Sequence, residues 1–452
     1  MSALRDFATW EPLLRLMRVA HAERLAQPGG YVAGQIGRSG WSVPLGRGRR
    51  TRDEFGAVER VQGALVDAGV DDVSFAAEIS PGGGAVLHLF GTGPAVEAGI
   101  GGPYPGALTL SEGSVPEPWR RLPDSVVGAV PDPVVDLGLL ERTLRERIPD
   151  AIGATEAEIA AAEARLGVAL PEELKVLYRV TRARWEDWGE GYADAERVYE
   201  AVGCELFPLD RLYVADVASR PCRWKSAAMA AVVTPADAAV QGLVGSPGWI
   251  AFGDNGGGDR MVVDLTPGPR GYVGQIVMLD HEQVIGAGLL ADSLTDLVVN
   301  RRSEWCSGRL WDRPPVVARV RVGSLLSVRA AADPGLEVLS IGGWEGEPVS
   351  LVPLVGLPRL RTLVAYPGTL ADPLEIARLR GLEFLELGPE EWRVLLAAGG
   401  VPSGLSAAAI AVQVQEDWHP LSVVALANEL LGLWGRPPIS HTVVEGKLGP
   451  VG

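Results

Sequence analysis

Five residues could do chemistry if the fold brought them together: Asp254, Asp259, Asp264, His281 and Glu282. Carboxylates beside a histidine can hold a divalent metal or move a proton. The first two aspartates bracket Asn255-Gly256-Gly257-Gly258, which also invites a phosphate or calcium reading. A phosphate cradle sets its glycines between a strand and a helix N-terminus, where free N–H groups and the helix dipole meet the anion. Here the loop runs into the β-branched pair Val262-Val263, and no Gly-Lys-Ser/Thr follows. An EF-hand loop needs oxygens at alternate positions and a glutamate at the twelfth. Asp254, Asn255 and Asp259 lack that spacing, and aspartates are ordinary turn residues. The expectation is a structural hairpin with no metal, no cofactor and no enzymatic activity. The alternative is a metal-dependent enzyme using the Asp254, Asp259 and Asp264 cluster.

Other catalytic patterns are missing: no Gly-x-Ser-x-Gly, no His-Glu-x-x-His and no Cys-x-x-Cys. His21, His88, His281, His419 and His441 are scattered along the chain. His88 reads as structural, with no cysteine or second histidine at metal spacing. Cys204, Cys222 and Cys306 make neither a disulfide framework nor a zinc site, and they read as thiols in a reducing compartment. The stretch from Arg184 to Glu200 interleaves large aromatics with acids. Within it, Trp185, Trp188 and Tyr192 suit apolar anchors, and Glu186, Asp187, Glu190 and Asp194 a steering field for a basic partner. A surface loop whose aromatics return to the domain would carry the same composition.

These residues need elements to position them. Ile250 and Phe252 alternate with small residues in a strand with one buried face, and the three glycines then allow positive φ. Met261, Val263 and Leu265 share a face of the returning strand. Pro267-Gly268-Pro269-Arg270-Gly271 turns the chain into a strand from Val273 to Leu279. Upstream, Thr155 and Glu158 form a capping box, and Pro171 opens a second helix with Leu174, Leu177 and Tyr178 inward. Nearer the N-terminus, a helix from Pro12, a helix over Asp53 to Asp67 and strands around Val73 and Val86 make a small unit. Pro116, Pro118, Pro123, Pro131 and Pro133 follow as a semi-rigid linker. Leu336-x-x-Leu339-x-Ile341, Leu360-x-x-Leu363-x-Ala365 and Leu382-x-x-Leu385-x-Leu387 recur further on. Their spacing resembles that of leucine-rich repeats, whose strands stack side by side. The asparagine or cysteine of that pattern is replaced by Trp344, Gly368 and Glu390. A closing helix is expected from Leu421 to Trp434.

The hairpin resembles the SUKH superfamily through Trp249-x-x-Phe252-Gly253-Asp254-x-Gly256-Gly257-Gly258-Asp259, Asp264-Leu265-x-Pro267 and Gly271-x-x-Gly274-Gln275-Ile276. Gly153-Ala154-Thr155-Glu156, Leu170-Pro171-Glu172-Glu173 and Leu206-x-Pro208-Leu209 are similar to its opening segments. Where relatives often turn through Asn-Gly, this chain runs Thr181-Arg182-Ala183-Arg184. The superfamily includes fungal Smi/Knr cell-wall assembly regulators and bacterial toxin-immunity proteins. The resemblance implies an α+β fold and a protein partner. The expected organisation is a small N-terminal α+β domain over 1–125, a Pro-rich linker over 126–135, a SUKH-like α+β domain over 136–305 and a leucine-rich-repeat-like α/β segment over 306–452.

The net charge is −16, and residues 126–310 hold most of the excess acid. That argues against nucleic acid, whose binding is driven by cationic groups. No apolar run approaches the roughly 20 residues of a membrane helix, and the N-terminus lacks a signal pattern, so a cytoplasmic location is expected. The expected function is a toxin-neutralising immunity protein with a basic toxin domain as partner. A regulatory scaffold of the Smi/Knr type is the alternative.

Overall fold

A computed structural model describes residues 3–45, 51–91, 93–97, 107–111, 121–187, 193–220, 222–283, 285–300, 316–321, 327–343, 347–412 and 418–449. The chain divides into two compact units, Met1–Ser114 with Pro314–Gly452, and Val115–Arg313. Helices and strands both occur in each, giving an α+β architecture. The segments read from sequence as separate N- and C-terminal domains therefore share one unit.

The Val115–Arg313 unit carries the glycine hairpin. Its sheet runs Gly288–Ala291, Gln275–Leu279, Arg260–Asp264, Trp249–Asp254 and Glu205–Leu206, with every neighbouring pair antiparallel. One face packs Ile250, Phe252, Met261, Val263 and Ile276 against the helices Leu137–Arg147, Glu156–Leu166 and Glu172–Val180. The helices start where their caps allow. Asp136 and Thr155 each accept an N–H from the first turn, and Glu158 completes the box by accepting from Thr155. Only one buried face was expected of the Trp249 strand, but both are covered. Trp249, Ala251, Val262 and Val277 pack on the far side against Ala215 and Leu243, from an irregular stretch whose periodicity gives no warning of it. The proline-rich segment is also tied to this unit. Asp124 N–H donates to the buried Gln241 side chain, which donates back to Asp124 O, and Val273 N–H donates to Val130 O.

The other unit is woven from both ends of the chain. Its first sheet has the order Ser440–Lys447, Gly84–Gly91, Asp72–Ile79, Val32–Gly37, Trp41–Ser42, so a strand from the far C-terminus forms one edge of an N-terminal sheet. The helix Arg52–Ala68 has a capping box at Thr51 and Glu54 and sets Val58, Val61 and Leu65 into the core. The first helix starts at Phe7 behind an Asp6 cap, five residues before the expected Pro12. Pro12 is instead accommodated inside it. The second sheet reverses the exchange. Val317–Val320, Val338–Ile341, Thr362–Ala365, Phe384–Leu387 and Ala407–Ala411 run parallel, and the N-terminal strand Ala107–Ser111 adds antiparallel to the last. The Leu-x-x-Leu-x-Leu units are thus successive strands in register, Leu339 beside Leu363 beside Leu385, all fully buried in one core. Trp344 lies outside the described residues. Immediately before these strands, Glu337, Arg361 and Glu383 occupy equivalent positions. Arg361 Nε donates to Glu337 Oε2 at 3.3 Å, with side-chain exposures of 6% and 2%. Burial opposes the charge on Arg361 and raises Glu383, whose carboxylate Arg361 in turn favours.

Two outcomes follow from this interlock. Leu363→Asp puts a carboxylate into a dry core, at a cost on the order of 4 kcal/mol or more. Calorimetry should show the Met1–Ser114/Pro314–Gly452 transition lost or lowered by many degrees, with that of Val115–Arg313 unmoved. Ending the chain after Arg436 should abolish hydrogen-exchange protection along Gly84–Gly91, and retained protection there would mean that the C-terminal strand is dispensable.

Candidate functional site

The hairpin loop is closed by its own side chains. Asn255 Nδ2 donates to Asp259 Oδ2 at 2.7 Å, and Asn255 Oδ1 accepts from the N–H groups of Gly257 and Asp259. Asp254 accepts from Gly256 N–H and pairs with Arg260. Gly256 and Gly258 have φ of +81° and +105°, which glycine adopts without steric cost; the middle one, Gly257, does not need that freedom. Gly253 is required for another reason, because a Cβ there would lie 2.5 Å from Cys204 Sγ. Burial pushes the Cys204 thiol up to about 12, so it stays protonated and inert.

The candidate catalytic residues are only partly brought together. Asp259 Oδ1 accepts from His281 N–H at 3.0 Å and meets His281 Nδ1 at 2.7 Å. Asp280 and His281 lie close enough to Asp259 to share a cation, with the two aspartates half-buried and His281 exposed. Asp264 is at the opposite end of its strand, fully buried, accepting from Thr266 N–H, Thr266 Oγ1 and Gln275 Nε2. Burial raises its pKa against those hydrogen bonds, so it is a structural acid of the second turn. Glu282 uses its N–H to close the Asp280 turn. Trp249 and Phe252 are wholly buried on opposite faces of the sheet.

The acidic–aromatic stretch is described at both of its ends. Trp188, Glu190 and Tyr192 lie outside the described residues. Trp185 opens a short 3-10 turn, Trp185–Asp187, and stands 63% exposed with Glu186 beside it. Asp187 does not face outward. It takes two hydrogen bonds of 2.6 Å from Arg182 Nε and Nη2, and that guanidinium holds its carboxyl below the usual range. Arg184 Nη2 reaches Glu158 at 3.0 Å, and Asp194 pairs with Arg197. Asp187 lines a cavity of about 240 Å³ together with Ile148, Ala151, Ile152, Ala183 and Val198, the acids Asp150 and Asp194, and Thr181 and Arg197. Ala183 has φ +51°, the left-handed region that disfavours any side chain. It stays there because Arg182 N–H donates to Ile152 O and Ala183 N–H to Thr181 Oγ1, which fix the chain on either side. Such strain gathers at binding sites. It was not visible in the sequence, where the only clue was a non-glycine at the turn after the second helix. Glu173 was also missed. It is buried, its pKa is raised by that burial, and it accepts from Thr295 N–H and Oγ1 to cap the helix Leu294–Asn300.

The hairpin makes one pH-dependent outcome definite. The hydrogen bond to Asp259 raises the pKa of His281, and the histidine N–H and ring lower that of Asp259. A raised histidine pKa stabilises the fold fully below its unfolded value, and that contribution is lost as pH rises through the folded pKa. Proton NMR titration should place His281 above the ordinary histidine value of about 6.5. Asp259→Asn should return it to ordinary. An unshifted His281 in the parent protein would remove the pair.

No curated protein sequence matches the chain. No helix among the described residues is long and apolar enough to cross a membrane. A family model does match the segment that holds the Thr155-capped helix, the acidic turn and the glycine hairpin. Residues 153–300, well under half of the chain, match the SMI1 / KNR4 family (SUKH-1), and this segment is of SUKH type.

Proposed function

We propose that the chain works by binding another protein and is not an enzyme, with its SUKH-type segment neutralising a basic toxin domain by covering it in the cytoplasm. The match over 153–300 supports a protein-interaction role, immunity or regulatory, at the level of the family. The observation that carries the finer reading is an exposed tryptophan, Trp185, beside the exposed acid Glu186, in the same short turn as Asp187, which lines a cavity. Large aromatics at the centre of a patch anchor interfaces, and like-signed rim charge speeds encounter with an opposite partner. Asp259 and Asp264 are engaged by His281, Asn255, Thr266 and Gln275, an arrangement suited to holding turns.

The residues of the turn should behave differently from one another. A pull-down from the native host with mass spectrometry supplies the partner, and kinetic binding then separates the roles. Trp185→Ala should weaken binding by about 2 kcal/mol, roughly 30-fold, mainly through the off-rate and without unfolding the domain. Glu186→Gln should lower the on-rate and flatten its salt dependence. Asp187→Asn should lower stability, because it releases Arg182. Unchanged affinity for Trp185→Ala would move the interface off this turn. Calorimetric binding of a divalent cation that is lost in Asp259→Ala would favour the metal-dependent alternative.

A further inference from the structure

Three of the five histidines meet in the Met1–Ser114/Pro314–Gly452 unit, outside the SUKH-type segment. His88 lies on Gly84–Gly91, His441 on the C-terminal strand paired with it, and His419 at the N-cap of the helix Pro420–Leu433. Glu78, on the neighbouring strand Asp72–Ile79, joins them. His88 Nδ1 is 2.9 Å from His441 Nε2, and His88 Nε2 is 3.3 Å from Glu78 Oε1. The same Glu78 oxygen is 3.3 Å from His419 Nε2. His419 Nδ1 accepts the N–H of Leu421 at 3.3 Å, which caps the helix. The result is one hydrogen-bonded line, His441–His88–Glu78–His419, joining the C-terminal strand, the N-terminal sheet and a C-terminal helix.

The protons on that line are constrained. His419 must keep Nδ1 bare to accept from Leu421, so its proton sits on Nε2 and points to Glu78. Between His88 and His441 there is room for one proton, because the two nitrogens face each other. Where His88 Nδ1 carries that proton, one added at His441 Nε2 sets N–H against N–H, and one added at His419 Nδ1 sets N–H against the Leu421 N–H. Other groups pack around the line. Tyr31 lies edge-on to His419 at 4.7 Å between ring centres, with Arg24 over the Tyr31 ring. Phe90 stacks on His441, and Glu445 follows four residues along the same strand. Among these described residues, Arg24 is the cation and Glu78 and Glu445 the acids.

We propose that the His441–His88–Glu78–His419 line is an acid-sensitive latch, which holds the C-terminal strand on the N-terminal sheet at neutral pH and releases it on mild acidification. Burial lowers the pKa of both His419 and His441, for His419 against the opposing pull of Glu78, and the neighbouring His88 lowers both further. The sign follows. A histidine depressed in the folded state stabilises it above the unfolded value of about 6.5, and that contribution fades as pH falls below it. The opened strand takes up the protons that the closed one refuses, and each such proton changes the opening equilibrium by up to tenfold per pH unit.

The test is hydrogen exchange of the full chain from pH 7.5 to 5, corrected for the intrinsic rate at each pH. Amides of Ser440–Lys447 should lose at least tenfold in protection over that range, while those of Trp249–Asp254 keep theirs. The double variant His419→Asn, His441→Gln keeps a capping oxygen and a hydrogen-bonding group toward His88 but removes both titrations. Its C-terminal strand should hold its protection across the range. A flat profile in the parent chain, or the same fall in a double variant that is folded at pH 7.5, would overturn the latch.

Discussion

Each sheet of the Met1–Ser114/Pro314–Gly452 unit is completed by a strand from the other end of the chain. Gly84–Gly91 pairs with Ser440–Lys447 along eight residues, and Ala407–Ala411 pairs with Ala107–Ser111 along five. A sheet edge left bare carries a row of unpaired N–H and C=O groups that recruit whatever strand is near. Neither segment can therefore satisfy its backbone alone. This mutual dependence explains why the shared core draws on both, with Leu108 and Leu110 packed among Leu339, Leu363 and Leu385.

The Val115–Arg313 unit is built on a different economy, in which buried polar side chains fasten irregular chain to regular elements. Gln241 and Gln275 hold loops to the sheet, Glu173 caps a helix more than a hundred residues away, and Tyr178 donates to Phe207 O at 2.6 Å. A buried polar group left unpaired costs about 1–3 kcal/mol, so each of these contacts fixes one loop conformation against its competitors. The acidic turn follows the same logic. Arg182 spends its charge on Asp187, which leaves Trp185 and Glu186 as the outward pair.

What was legible in the sequence was what is local. The Thr155 capping box, the alternation at Ile250 and Phe252, the glycine turn and the leucine spacing all encode their structure within about ten residues, and the family motifs fall on the same elements. What was not legible depends on a partner far along the chain. His88 and His441 each look solitary, although their rings touch across 353 residues. Ser440-His441-Thr442-Val443-Val444 has a strand's composition, but nothing in it says which edge it will join. Asp187 and Asp194 read as free acids because their cations, Arg182 and Arg197, read as solvated charges.

The distance between paired strands also sets an order of events during synthesis. His88 leaves the ribosome 353 residues before His441. At roughly 5–20 residues per second that interval is about 20–70 s. Throughout it the Gly84–Gly91 edge exists without its final neighbour, while the whole of Val115–Arg313 emerges and has time to fold. The nascent chain thus carries a finished unit and an unfinished sheet together. Chaperone contact in the cell is to be sought on the N-terminal sheet, and it should end when the last strand is made.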